Sequence, residues 1–333
     1  MTDDRNVKFK KNEKYKTNLN GVNINFFTGY SSKYRIIRIV GRLLTWKEQK
    51  NYIKKLIKKD NNLRIIIYHS PEFYKLYKLL YKNNVNYILE VEEVYSDVIN
   101  NKLKKSKEIK YIQLADKYIF PTELLNKEIN KKNKPYVLIH GTYNNERKLE
   151  KLKLDKNMIH CVYAGTFDPR KGGVFAAIDS ARFLSKDYCI HILGFGSEEQ
   201  INRTKERISE INNKKGAKVI YEGLKTGEDY IRFIQSCDIG LSTQNPDAAF
   251  NATSFPSKIL SYMSNGLRVV SIRIPAIETS DIGKYMYYYD KQTPKDIANA
   301  IMSVDLKDNY DSRKIIKELD KKFQKDLKEL LDE

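Results

Sequence analysis

The feature that most constrains this chain is an alternation of two apolar patterns. From residue 158 onward, short runs rich in β-branched residues take turns with segments of helical spacing. MIHCVYAG (158–165), YCIHILG (188–194), AKVIYEG (217–223), DIGLST (238–243) and LRVVSI (267–272) read as strands. Residues 172–185 and 197–212, EDYIRFIQSC (228–237), PSKILSYMSN (256–265), TPKDIANAIMSV (293–304) and 311–331 read as helices. A strand that is apolar along its length needs cover on both faces. A parallel sheet with helices on either side supplies that cover.

The first half carries the same rhythm less regularly. GVNINFF (21–27), RIIIYHS (64–70), NYILEVEEVY (86–95), KYIFP (117–121) and PYVLIHG (135–141) read as strands. Helices are expected over 46–59, where Trp46, Tyr52, Ile53, Leu56 and Ile57 recur at helical spacing, and over 71–84, 97–116 and 121–132. Residues 1–20 are polar and are expected to lack regular structure. YNNERKLEKLKLDKN (143–157) has no apolar periodicity and reads as a linker. The expectation is therefore an α/β protein of two Rossmann-like doubly wound domains. The first spans 1–145 and the second 158–305, joined by a linker at 146–157 and followed by a C-terminal helix at 306–333. A chain of 333 residues accommodates two such domains.

The formal net charge is +19. Such a field favours anionic partners, but Lys, Asn, Ile and Tyr are abundant everywhere, and a compositional bias gives the same total. No nucleic-acid-binding motif accompanies the charge, so no nucleic acid is expected as a partner. No run of about 18 apolar residues predicts a membrane-spanning helix, and the first residues show no apolar signal-peptide core. Cys161, Cys189 and Cys237 stand singly, without metal spacing. A reducing cytoplasm is the expected compartment.

Doubly wound sheets bind ligands beyond the carboxyl ends of their strands. Four segments fall there. In AGTFDPRKGG (164–173) a glycine turn leads into a helix with Arg170 and Lys171 beside it; it suits a phosphate or is an ordinary β–α turn. LGFGSEE (193–199) and YEGL (221–224) allow close backbone approach, or are turns alone. In the fourth, Pro256 opens a helix that Gly266 closes, with Ser254, Ser257 and Lys258 at its start. Unpaired N–H groups at a helix start favour an anion.

In the first half, ILEVEEVY sets carboxylates at a strand end. Alternation would place Glu90 and Glu92 on one face and Glu93 on the other. Such a group orients a hydroxyl or stabilises positive charge, or is simply a solvated strand end. His140 ends the strand before the linker, where it either lines the cleft or packs. His69, His160 and His191 lie within apolar runs and are expected to be packed.

The order AGTFDPRKGG, LGFGSEE, VIYEGL, SCDIGLST, FPSKILSYMSNGLRVVS resembles the C-terminal domain of the "glycosyl transferases group 1" family, over about residues 158–305. These are retaining enzymes of the GT-B fold. The first half is similar more loosely, through ILEVEEVY, LADKYIFPT and VLIHG, and chiefly to bacterial members that build capsule, O-antigen and other lipopolysaccharide or exopolysaccharide chains. The resemblance implies a donor site at Gly165, Thr166, Arg170 and Lys171, with Lys171 first on the diphosphate. Gly196, Glu222 and Gly223 would frame the base. Thr253 to Lys258 (Ser254, Phe255, Pro256 and Ser257 between them) and Ser261 would hold diphosphate, sugar and ribose. Glu93, then Glu92, and His140 would face the reacting sugar.

The resemblance further implies a nucleotide diphosphate sugar as donor, UDP- or GDP-linked, and a glycan or polyprenyl-diphosphate-linked acceptor. No metal is expected, since no Asp-x-Asp stands in a suitable loop. The expected location is cytoplasmic, peripheral at the anionic inner face of the membrane. The sequence departs from the family where two glutamates are usual: Thr253 and Ser261 stand there. Thr166 replaces an arginine and Arg268 a proline. The Gly-rich loop usual at the start is missing, so either the start is expected to be truncated or a first β–α unit to be lost. These losses motivate the alternative, a catalytically inactive GT-B partner of an active transferase.

Overall fold

The computed structural model describes residues 7–60, 63–99, 101–169, 172–247, 251 and 254–332. The chain divides into two compact units, residues 1–65 with 73–87, and residues 66–72 with 88–333.

The smaller unit contains β1 (Lys10–Asn12), β2 (Tyr15–Leu19), β3 (Val22–Phe26), β4 (Gly29–Ser31), α1 (Arg35–Lys59) and α2 (Tyr74–Lys82). β2 and β3 form an antiparallel hairpin, and β1 pairs antiparallel with β4. Asn20 and Gly21 both take positive φ, 50° and 85°, the primed turn that matches strand twist. Residues 10–12 and 15–19 are thus strands, contrary to the expectation of irregular chain. The polar sequence hid a hairpin whose signal was the Asn-Gly pair. The strand expected at 21–27 is its second arm rather than part of a parallel sheet. Helix α1 starts at Arg35, well before residue 46. Gly41 allows its close approach to β4, because a Cβ there would lie 2.4 Å from Tyr30 Cβ.

The larger unit holds two parallel sheets. The first has β5 (Ile66–Tyr68), β6 (Ile88–Glu90), β7 (Lys117–Phe120) and β8 (Tyr136–Leu138) side by side in chain order. Helices α3 (Tyr95–Val98), α4 (Lys102–Ile112) and α5 (Glu123–Ile129) connect its strands from β6 onward.

The second sheet has β9 (Ile159–Thr166), β10 (Tyr188–Phe195), β11 (Lys218–Gly223), β12 (Ile239–Ser242), β13 (Arg268–Ile272) and β14 (Tyr287–Tyr289). Between and after these strands come α6 (Gly173–Ser180), α7 (Glu198–Asn212), α8 (Gly227–Gln235), α9 (Ser257–Ser264), α10 (Pro275–Glu278), α11 (Pro294–Met302) and α12 (Ser312–Asp332). The spatial order β11-β10-β9-β12-β13-β14 is the dinucleotide-fold order, with its switch point between β9 and β12. Its strands bury Val162, Ile190, Ile192, Ile239, Leu241 and Val269 completely.

Residues 146–157 form no element, yet they are tied down. Glu146 donates its N–H to Ser264 O and Leu149 its own to Gln235 Oε1, while Arg313 Nη1 donates to Glu146 O. Helix α12 returns to the first sheet, where Leu330 packs with Ile88, Ile119 and Val137, and Lys117 Nζ donates to Leu330 O. Among the described residues, no helix is long and apolar enough to cross a membrane.

Candidate functional site

β12 pairs with β9 only at Ile239↔Cys161 and Gly240↔Val162; past these residues the two strands part. Helix α9 fills the gap from below. A Cβ on Gly240 would meet the Tyr262 ring at 2.4 Å, so only glycine lets that ring in. The Tyr262 hydroxyl then accepts the N–H of Ala164 at 2.8 Å, which the missing strand pairing would leave open. The start of α9 is thereby aimed at the crevice. Lys258 lies in its first turn, with Nζ 4.2 Å from the centre of the Tyr163 ring.

A cavity of about 800 Å³ opens at this point, and both sheets line it. From the second sheet and α9 come Ser254, Phe255, Pro256, Ser257 and Lys258; from the first come Glu92, Glu93 and His140. These eight of the residues expected from sequence are brought together. Asp320 and Phe323 of α12 complete the wall.

His140 links the two sheets. Its Nδ1–H donates to Pro121 O at 2.7 Å, and its ring stacks on Phe255 with centroids 4.9 Å apart. Burial holds the imidazole below its usual pKa, partly offset by the Pro121 carbonyl, so the ring is neutral at pH 7. With Nδ1 donating, Nε2 carries the lone pair.

The carboxylates are not arranged as alternation suggested. β6 ends at Glu90, so Glu92 and Glu93 belong to the turn beyond it and not to opposite faces of a strand. The turn is instead fixed from outside. Glu92 Oε2 accepts from Tyr68 OH at 2.7 Å. Burial, helped by Glu92, pushes the Glu90 carboxyl up. Beyond the turn, Glu108 of α4 is 2% exposed and accepts from His69 Nε2, the N–H groups of Tyr95 and Ser96, and Ser96 Oγ. Burial works to raise its pKa, but these donors outweigh it and hold Glu108 below the usual carboxylate value.

Other expected residues stand elsewhere. Gly165 and Thr166 end β9, Gly196 follows β10, and Glu222 and Gly223 end β11. All sit at strand carboxyl ends, but none lines the cavity. Gly165 is the nearest in effect, since a Cβ on it would lie 3.2 Å from Lys258 Nζ. Glu222 is engaged inward. Its Oε1 lies 2.9 Å from His191 Nδ1, His191 Nε2 lies 2.9 Å from His160 Nδ1, and His160 Nε2 lies 2.9 Å from Asp155 O. Ser261 is one turn into α9, with Oγ 3.0 Å from Tyr230 OH. Arg170, Lys171 and Thr253 lie outside the described residues.

Among the described residues, His160, Cys189 and His191 alone converge closely enough to hold a metal ion, with ligand atoms within 4.8 Å of one another. They do not line the cavity. Their imidazole nitrogens are taken up by the chain to Glu222, and burial pushes the Cys189 thiol up to about 11, away from the thiolate a metal needs.

Several cavity residues escaped the sequence. Gln244 and Asn251 are buried, and Gln244 Nε2 donates to Asn251 Oδ1 at 3.1 Å. Their signal was the polar stretch directly after β12, at a strand carboxyl end. Tyr68 and Glu108 had no local signal, because their role arises only from the fold.

The architecture is that of two Rossmann-like sheets facing across a ligand cavity, with the C-terminal helix returning to the first: the GT-B fold. No protein-family model and no curated protein sequence matches the chain. Solved structures do. One, described as trehalose-6-phosphate from E. coli bound with UDP-2-fluoro glucose, is 10% identical, with a TM-score of 0.64 over 92% of this chain and 85% of that one. A UDP-forming trehalose-phosphate synthase from Burkholderia xenovorans gives 10% identity and a TM-score of 0.62 over the same shares. Anabaena HepE in complex with UDP gives 13% and 0.57, over 79% of this chain and 74% of that one.

Proposed function

We propose that the protein is a glycosyltransferase that moves a sugar, with retention, from a UDP- or GDP-linked donor to a glycan or polyprenyl-diphosphate-linked acceptor. What carries this is one cavity at the switch point that joins the α9 start and Lys258 to the carboxylates Glu92 and Glu93 and to His140. The first N–H groups of a helix have no partner within the helix, and they favour a diphosphate. Lys258 adds the cation, so the leaving group is stabilised where its charge grows. Lys171, then Arg170, completes the diphosphate contacts in this reading. No metal is assigned to the step.

On the other wall, neutral His140 offers Nε2 as an acceptor for the attacking hydroxyl. Glu93 or Glu92 faces the positive charge that develops on the sugar. Solved neighbours complexed with UDP and UDP-glucose support a nucleotide-sugar donor. The proposed setting is surface polysaccharide synthesis at the inner membrane face.

A melting-temperature series with UDP-, GDP-, dTDP- and CMP-sugars tests donor binding, since a ligand of the folded state alone raises the midpoint. No shift with any of them would remove the reading. Chelator should leave both binding and turnover unchanged.

The second reading is a catalytically silent partner of an active transferase. Thr253 and Ser261 at the usual glutamate positions favour it, as does the engagement of Ser261 by Tyr230. Donor binding without turnover, with and without acceptor, would decide for this reading.

A further inference from the structure

The positive charge of the chain is not spread evenly. Residues 1–65 and 73–87 hold 20 Lys and Arg against 5 Asp and Glu, so this unit carries +15 of the total +19. The rest, with 41 against 37, is near balance. A uniform compositional bias does not produce such a division.

Helix α1 carries a second asymmetry. One face packs onto its own unit through Gly41, which touches Tyr30, and through Thr45, whose Oγ1 donates to Thr28 O. Ile36, Ile39, Val40, Leu43 and Leu44 recur at i, i+3, i+4, i+7 and i+8. That is the spacing by which a helix normally buries a stripe in a core. Here the stripe lies away from the packed face, and each of the five is between 48% and 76% exposed. At 100° per residue, Arg35 and Arg42 run along one border of the stripe, and Lys47, one turn past Leu43 and Leu44, ends the stripe on a cation.

We propose that this face of α1 docks on an anionic lipid bilayer, with the helix lying in the headgroup plane. A second copy of the chain would bring a like-charged unit against this one. A nucleic acid would meet the cations and leave five apolar side chains in water. An anionic bilayer satisfies both features: acyl chains take the stripe and headgroups take the arginines. Neither donor nor acceptor enters this assignment, so it and the transferase reading fail separately.

The test is sedimentation of the full chain with vesicles, without nucleotide or glycan. Binding is expected to vesicles of phosphatidylcholine mixed with phosphatidylglycerol, and little to phosphatidylcholine alone. The double variant Ile39→Glu with Leu43→Glu should lower partitioning about tenfold or more. Arg35→Glu with Arg42→Glu should do the same. All four positions face solvent, so circular dichroism and the emission of Trp46, on the same helix, should match the parent and show that the fold survives. Three results would overturn the proposal: vesicle binding that ignores Ile39→Glu with Leu43→Glu; nucleic-acid binding without vesicle binding; or self-association, seen by light scattering, that the apolar variant abolishes while vesicles are never bound.

Discussion

Strand β10 and helix α1 are both rich in isoleucine and leucine, yet they use them in opposite ways. In β10, Ile190 and Ile192 are fully buried. The strand has a parallel neighbour on each side, and the surrounding helices bury both faces of its sheet. In α1, only one face finds a partner, because two short antiparallel ribbons cannot cover more. Apolar content is thus not enough to say what will be buried. The number of layers within reach decides it. Charge follows the same division, nearly balanced where a core exists and strongly positive where a helix face is left open.

The largest expected effect lies at the carboxyl end of β10. Gly194 has φ +149°, and a Cβ on it would sit 1.8 Å from Gly165 O. Gly194→Ala should cost about 3 kcal/mol or more by chemical denaturation. Trp46 is the chain's one tryptophan and lies in the smaller unit. Its emission should report a transition less affected than the circular dichroism. Coincident shifts would show that the two units unfold together and that the smaller unit is no less tied to the core than β10.

Next comes Glu108→Gln, which sets an amide N–H₂ among donors that a carboxylate satisfied. It should cost roughly 2 kcal/mol. It should also reduce donor binding by loosening the turn that carries Glu92 and Glu93.

Lys258→Met should weaken nucleoside-diphosphate binding roughly tenfold to a hundredfold in titration calorimetry. The melting temperature without ligand should change little. A large loss of stability instead would make Lys258 a structural residue.

The smallest effect is on pH. His140 and His191 are held below 6.5, first by burial, so the unfolded chain binds their protons more readily. Stability is then complete above about pH 6.5 and falls as acid is added. All four histidines belong to the larger unit. The early acid loss should therefore appear in the circular dichroism before Trp46 responds.

Much of the second sheet was legible from sequence. The strands expected at 158–165, 188–194, 217–223, 238–243 and 267–272 match β9 to β13 closely. Continuous β-branched runs have one outlet, a strand buried on both faces, so local pattern and tertiary need agree. The start of α9 was legible too, since Pro256 and Gly266 mark its ends. β14 was missed because three tyrosines in a row show no period. The carboxylates were placed on a strand that ends at Glu90, and the groups that hold the turn beyond it, Tyr68 and Glu108, arrive from distant segments. His69, His160 and His191 were rightly expected to be buried, but their partners were not foreseen. His160 and His191 meet because β9 and β10 are adjacent, with His160 opposite Cys189 and His191 two residues further on.

The sequence alone determined the β/α class, the helix that opens at Pro256 with its lysine, and the total charge. These follow from periodicity, end signals and counting, which need only near neighbours along the chain. The tertiary structure decided the strand order, the joining of Lys258, Glu92, Glu93 and His140 in one cavity, and which apolar stripe stays in water. Each of these depends on which layers meet, and residues far apart in the chain settle that together.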